Sequence, residues 1–198
     1  MATASAASPA WGWNQRQRPD DAGRVALAVC LLFDARSDLL MRELWSRLEN
    51  EGVSTLATHT HGRHYPHLSF AVLRSWDLER TQEALAALPG AEPFKMSFHG
   101  TLAFPRGRVA LAPAISADVA LRQWRIVTAL EATGAELHRN YAAGQWVPHV
   151  SVATRAQGAK LAIVVKAIAD VLPLTARVDR AALVDSATGQ TWRLPHIP

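Results

Sequence analysis

The chain reads as an α/β (α+β) protein made of two similar halves. Three observations predict this. Short β-rich runs alternate with helical segments from Val25 onward. The hexapeptide Pro66-His67-Leu68-Ser69-Phe70-Ala71 returns as Pro148-His149-Val150-Ser151-Val152-Ala153. Of the 198 residues, 49% are hydrophobic and 19% charged, which suits one sizeable core and not a mostly disordered chain. An eight-stranded α/β barrel usually takes about 250 residues and is disfavoured by length.

The elements follow in order. Val25 to Phe33 is an apolar run bounded by Arg24 and Asp34, and reads as a buried strand. Ser37 is the expected cap of a helix carrying Leu40, Leu44 and Leu48, ended by Gly52. Tyr65 to Leu73 is the next strand. Asp77 caps a helix with Leu78, Leu85 and Leu88, stopped by Pro89-Gly90. Phe94 to Phe104 is β-like, Pro105 to Arg108 a turn, and Val109 to Ile115 a strand. Then the cycle restarts. Ser116 caps a helix through Val119, Leu121, Trp124, Val127 and Leu130, closed near Gly134. Val147 to Ala153 is a strand, and Gly158 to Val171 a helix stopped at Pro173. Leu174 to Val184 and Thr191 to Leu194 form a closing hairpin around Thr188-Gly189.

The halves keep their spacing. His67 lies 42 residues after the start of its first strand, and His149 lies 41 after Arg108. The expected organisation is a disordered leader over 1–22, then one bilobal domain over 23–198. Its lobes span about 23–105 and 106–198, and the termini are free to cross between them.

Composition bounds the partners. The 21 Lys and Arg against 17 Asp and Glu give a net charge of +4, and only three of the basic residues are lysines. That excess suits one or a few phosphates better than a long nucleic-acid track. The single cysteine, Cys30, excludes an intrachain disulfide and reads as a small buried residue, which fits a reducing cytoplasm. The longest apolar run is too short to cross a bilayer, so no membrane association is expected. A leader rich in Ala, Ser and Arg leaves an organelle transit peptide as the alternative to simple disorder.

Side chains alternate faces along a strand. His67 and Ser69 therefore share one face, opposite Leu68, Phe70 and Val72. His149 and Ser151 likewise oppose Val150 and Val152. Each half offers an imidazole and a hydroxyl side by side. Two facing imidazoles suit in-line displacement at phosphorus, one taking a proton from the attacking oxygen and the other giving one to the leaving oxygen. An ordinary histidine pKa of about 6.5 keeps both forms accessible. The serine hydroxyls can bond the non-bridging phosphate oxygens, and no metal or other cofactor is required. Symmetry leaves open which histidine is the base.

The tetrapeptides His67-Leu68-Ser69-Phe70 and His149-Val150-Ser151-Val152 resemble the paired His-x-Ser/Thr-x signature of the two-histidine (2H) phosphoesterases, including the 2′,5′ RNA ligase-like proteins and cyclic nucleotide phosphodiesterases. The resemblance covers roughly residues 24 to 195. The segment Phe94 to Ile115 is similar to that family's central hairpin, and Trp146-Val147-Pro148-His149 to its approach to the second motif. The resemblance implies a bilobal 2H phosphoesterase-like fold with a central cleft. It implies metal-independent phosphodiesterase chemistry on 2′,3′-cyclic phosphates or 2′,5′ linkages of RNA ends or small nucleotides. His67 and His149 are then catalytic, with Ser69 and Ser151 substrate-binding. A non-catalytic RNA- or nucleotide-binding protein and a 2′,5′ RNA ligase are the alternatives, and a monomer is favoured.

Other residues have two readings. Tyr65 shares the parity of His67 and is a candidate substrate contact, or a half-buried strand aromatic. Trp146 and Tyr141 can stack on a base or pack beside the second motif. The tract His59-Thr60-His61-Gly62-Arg63-His64 invites a metal, but no Asp or Glu occurs between Gly52 and Trp76. A polar loop beside the cleft is preferred. Arg63, Arg106, Arg108, Arg139 and Arg155 are candidate guides for an anion, or solvated surface charges.

Overall fold

The structure is a computed structural model that describes residues 26–198; the expected leader and the first residue of the opening strand lie outside the described residues. Strands and helices alternate as β1 (Leu27–Phe33), α1 (Ala35–Asn50), β2 (His67–Ser75), α2 (Leu78–Ala86), β3 (Phe94–Phe104), β4 (Arg108–Pro113), α3 (Ala117–Ala132), β5 (Glu136–Leu137), β6 (Val150–Ala153), α4 (Ala159–Ala169), β7 (Leu174–Asp185) and β8 (Thr191–Arg193). Most boundaries match the sequence expectation to within three residues. The short β5, which pairs with β2, carries no periodic signal in two residues and was not anticipated.

One helix start differs. Asp34, not Ser37, caps α1: its carboxylate accepts from the Ser37 N–H at 2.8 Å. Ser37 is buried in the first turn, where its hydroxyl accepts from the Arg177 N–H of β7 at 3.0 Å. Both residue types cap helices well, so the choice fell to tertiary contact. Asp77 and Ser116 cap α2 and α3 as expected.

All strand pairings are antiparallel and run β1-β2-β6-β4-β3-β7-β8, with β7 returning to pair with β1. The long β7 makes the closure. Its first part, Leu174 to Val178, pairs with β3, and its second, Val178 to Asp185, pairs with β1. On the other side the ring is closed by a single pair, Leu68 of β2 with Val150 of β6. The strands thus fall into a group around β1 and β2 and a group around β3, β4 and β6. β3, from the first half of the sequence, lies with the strands of the second. The end of β7 and β8 lie with those of the first.

Helices cover the outside. α1 packs on β1 and reaches β6, whereas α3 packs on β2; α1 also meets α4, and α2 meets α3. Each repeated strand is therefore backed by a helix from the opposite half. The main core lies between sheet and helices, with Phe33, Trp45, Phe70 and Phe98 among its largest fully buried side chains. Burial of each such side chain contributes roughly 1.5–3 kcal/mol. A smaller apolar patch, Ala28, Cys30, Leu32 and Ala182 with Val72 and Val184, lies on the other face of β1.

Both repeated strands carry a β-bulge at the same place. Val29 and Cys30 of β1 pair with Ala71 and Ser69, which leaves Phe70 as the extra residue. Val109 and Ala110 of β4 pair with Ala153 and Ser151, which leaves Val152 extra. The bulge flips the later alternation. Val72, expected to share the core face with Leu68 and Phe70, joins the smaller patch instead, while Ala71 and Leu73 enter the main core.

Candidate active site

The Leu68–Val150 pair sets the geometry of the site. Continued one residue each way, that antiparallel register places His67 opposite Ser151 and Ser69 opposite His149. Leu68, Phe70, Val150 and Val152 are buried in the core, and the four polar side chains occupy the other face, half-buried. The two sequence motifs, 82 residues apart, thus form one polar patch at the seam of the ring.

Both imidazoles are held in the same way. His67 Nδ1 lies 2.7 Å from the Tyr65 carbonyl, and His149 Nδ1 lies 2.8 Å from the Val147 carbonyl. A carbonyl only accepts, so in each ring Nδ1 carries the hydrogen and Nε2 is left to exchange protons. The residue spanned is Pro66 or Pro148, which has no N–H and holds the preceding residue extended. Burial pushes the His67 pKa down, opposed by its carbonyl bond, and the charge of His149 lowers it further. Burial likewise lowers His149, again opposed by its carbonyl bond, with the Arg108 guanidinium lowering it too.

The bulges free main-chain carbonyls that need donors. Trp146 Nε1 donates to the Ser69 carbonyl at 3.0 Å, and Trp45 Nε1 of α1 donates to the Ser151 carbonyl at 3.2 Å. The amide of Gln123, on α3, donates to the carbonyls of Phe70 and Tyr141, both at 3.2 Å. Each motif serine is thus held by an indole from the opposite half. The Trp146 ring also packs on Phe70, centroids 5.7 Å apart. Of the two readings of Trp146, the structure shows packing beside the second motif, with its N–H and ring bracing Ser69 and Phe70. Trp45 went unnoticed in sequence, where it looks like any core aromatic of a helix.

Ser69 has further partners. Its Oγ lies 3.8 Å from Cys30 Sγ, and it hydrogen-bonds the Tyr141 hydroxyl. Burial pushes the Cys30 thiol up to about 12 and the Tyr141 phenol up to about 12, so both keep their protons near neutrality. Tyr141 therefore meets the site through its hydroxyl.

Arg108 is the arginine the fold brings to the site. It lies close enough to His149, His59 and Tyr141 for its charge to act on all three. The β3–β4 turn puts it there. Arg106 and Gly107 both adopt positive φ, 66° and 74°. A Cβ on Gly107 would meet the Ala156 carbonyl oxygen at 2.8 Å, so only glycine allows this turn to dock beside β6. Phe104, at the end of β3, lies against His149 with ring centroids 4.8 Å apart.

Tyr65 is exposed, with the Arg42 guanidinium 5.6 Å from its ring centre. Its carbonyl orients His67, which sequence parity could not show. The histidine tract forms a stacked loop. The His61 and His64 rings are 4.1 Å apart, His59 and His64 5.9 Å, and Thr60 Oγ1 is 2.8 Å from His64 Nε2. Burial, with the charges of His61, His67 and His59, pushes His64 down to about 4. Among the described residues, no three His, Cys, Asp or Glu side chains converge as a metal site. Arg63 is engaged elsewhere, donating to the Thr188 carbonyl at 2.7 Å.

Comparison with known proteins agrees with this fold. A crystal structure of a phosphoesterase superposes with a TM-score of 0.57 at 14% identity, covering 87% of this chain and 95% of that one. E. coli LigT complexed with NADP+ gives 0.54 at 15%, with 87% and 99% covered. Kluyveromyces marxianus Usb1 with uridine monophosphate gives 0.50 at 14%, with 87% and 98% covered. No curated protein sequence matches significantly. The α+β arrangement of an antiparallel sheet with four helices is thus the fold of the two-histidine phosphoesterases. The family model for the 2′-5′ RNA ligase superfamily matches residues 15–190, and the chain belongs to that superfamily. Among the described residues, no helix is long and apolar enough to cross a membrane.

Proposed function

We propose that the protein is a phosphodiesterase for 2′,3′-cyclic phosphate or 2′,5′-linked ends of RNA or small nucleotides, with His67 and His149 as its acid/base pair. One observation carries this reading. Two imidazoles on one polar face are each fixed through Nδ1 to a carbonyl, so each presents Nε2.

The chemistry is a displacement at phosphorus. The neutral imidazole takes the proton of the attacking hydroxyl or water as the new P–O bond forms. The imidazolium gives its proton to the departing oxygen as the old P–O bond breaks. Proton and charge balance, and the pair ends with its roles exchanged. Ser69 and Ser151 donate to the non-bridging oxygens. Tyr141, held as a phenol, hydrogen-bonds Ser69 and holds its hydroxyl beside the phosphate. Arg108 supplies the cation that offsets the phosphate charge. Trp146 and Trp45 hold the serine backbone in place. Run in reverse, the same groups join a cyclic phosphate to a 5′-hydroxyl, the direction the superfamily name favours.

The test is turnover of a nucleoside 2′,3′-cyclic phosphate across pH, with and without chelator. A bell-shaped, chelator-insensitive profile that His67→Ala abolishes is expected. Full activity in His67→Ala, or complete loss with chelator, overturns the mechanism. Binding with no turnover supports a non-catalytic nucleotide-binding protein instead.

A further inference from the structure

The two halves orient their histidines through the same kind of carbonyl but anchor that carbonyl differently. In the second half the anchor is next in the chain. Trp146 directly precedes Val147, donates to the Ser69 carbonyl at 3.0 Å and packs on Phe70. In the first half the equivalent position, three residues before the histidine, is His64. The indole that serves the other serine is Trp45, far away in sequence on α1.

Arg42 joins that indole to the first motif. It lies one turn before Trp45 on the same helix. Its guanidinium carbon is 5.8 Å from the Trp45 ring centre and 5.6 Å from the Tyr65 ring centre, both within the ~6 Å reach of a cation–π contact. Asp38, one turn earlier, accepts from Nε and Nη2 of the guanidinium on its two carboxylate oxygens, which sets the plane of the fork. The ends of this line differ. Trp45 is 1% exposed and pinned through its N–H to the Ser151 carbonyl. Tyr65 is 40% exposed, so its ring has the weaker packing. The Tyr65 carbonyl in turn holds His67 Nδ1 at 2.7 Å. Trp45, Arg42 and Tyr65 therefore connect Ser151 to His67, the two residues that the β2–β6 register sets opposite each other.

We propose that Arg42 is a positioning residue for His67: it fastens the Tyr65 ring to Trp45, keeps the Tyr65 carbonyl on Nδ1, and so leaves Nε2 as the nitrogen that exchanges protons. The effect belongs to the first motif, because His149 takes its hold from Val147, beside Trp146. The consequence for turnover rests on the phosphodiesterase reading, whereas the orientation of the ring does not. A rival hold exists. His64, next to Tyr65, lies 2.8 Å from Thr60 Oγ1 and stacks on His61, and if that loop alone fixes the segment, Arg42 is dispensable.

The experiment reads the imidazole nitrogens of His67 and His149 by long-range proton–nitrogen NMR, in the full chain and in Arg42→Gln and Arg42→Lys, at a pH where both rings are neutral. Steady-state kinetics on a nucleoside 2′,3′-cyclic phosphate accompany it. In the parent, both rings should show the Nδ1–H tautomer. In Arg42→Gln, His67 should become a mixture of tautomers while His149 keeps its pattern. The same variant should lose about fivefold in kcat with KM within about twofold. Arg42→Lys, which keeps a cation between the rings, should recover most of both effects. A parental His67 pattern in Arg42→Gln overturns the proposal, whether or not kcat falls. So does an equal change at both histidines, which marks general loosening. If Arg42→Gln does not fold, Asp38→Asn, which frees the guanidinium, decides by the same readings. If the parent turns over no substrate, the phosphodiesterase reading fails, and the tautomer comparison alone decides the role of Arg42.

Discussion

Replacing Trp146 by Phe removes one hydrogen-bond donor and keeps most of the ring that packs on Phe70. The Ser69 carbonyl, turned out of the ladder by the bulge, then loses its indole partner at 3.0 Å. An unsatisfied buried acceptor costs about 1–3 kcal/mol. Ser69 is only half-buried, so the lower part of that range applies, about 1–2 kcal/mol. For a chain of this size each kcal/mol lowers Tm by roughly 2–4 °C, which gives a fall of about 2–8 °C. The catalytic effect should be larger than the stability effect, because misplacing a substrate-positioning group by about 1 Å can cost 100-fold. We expect kcat on a nucleoside 2′,3′-cyclic phosphate to fall about 10- to 100-fold well below Tm, with KM changed less. Thermal unfolding and steady-state kinetics on the same preparation read both. A Tm within about 1 °C of the parent together with unchanged kcat would refute the bracing argument.

Other expectations follow from the same geometry. Both motif histidines are lowered, so on the proposed mechanism the bell of kcat/KM should centre below the ordinary histidine value of about 6.5. An optimum above about pH 7.5 contradicts that environment. Tyr141→Phe should lower kcat about tenfold while leaving the fold intact by circular dichroism, since it frees Ser69 to turn. Gly107→Ala should lower Tm by several degrees, roughly 1–3 kcal/mol of backbone strain plus the contact with Ala156. His64 is held at about 4 against an ordinary 6.5. The unfolded chain then binds the proton more readily, so stability is full above pH 6.5 and falls as pH drops toward 4. His64→Gln should therefore flatten the Tm-against-pH curve in that window, and an unchanged curve removes His64 from the account.

Much of the site was legible because it is written twice. The repeated Pro-His-apolar-Ser-apolar-Ala string contains the imidazole, the hydroxyl and the apolar backing. Period-two alternation then places them on opposite faces without any knowledge of pairing. The proline had a further use that only three dimensions show: it separates each histidine from the carbonyl that fixes its tautomer. The bulge was not legible. Phe70 and Val152 look like ordinary strand residues, and the extra residue becomes evident only against the neighbouring strands. Val72 was misplaced for that reason.

Long-range closure was equally hidden. Nothing in Leu174 to Asp185 shows that one strand serves two neighbours, β3 and then β1. Nor does Trp45 advertise a bond to a carbonyl 106 residues away. Arg108 was one of five candidate arginines. Its distinction comes from the left-handed turn at Arg106 and Gly107, which docks the hairpin against Ala156. A Pro-x-Gly-Arg string hints at the turn but not at what it faces.

The central claim is that His67 and His149 act as a pair on one phosphate. It is tested most directly by the rates of His67→Ala, His149→Ala and the double variant on a nucleoside 2′,3′-cyclic phosphate. Each single change should remove general acid or base catalysis and lower kcat by about 100- to 10,000-fold. The double variant should be little worse than either single, as for residues that act as a unit. Retention of parental kcat in either single variant contradicts the account.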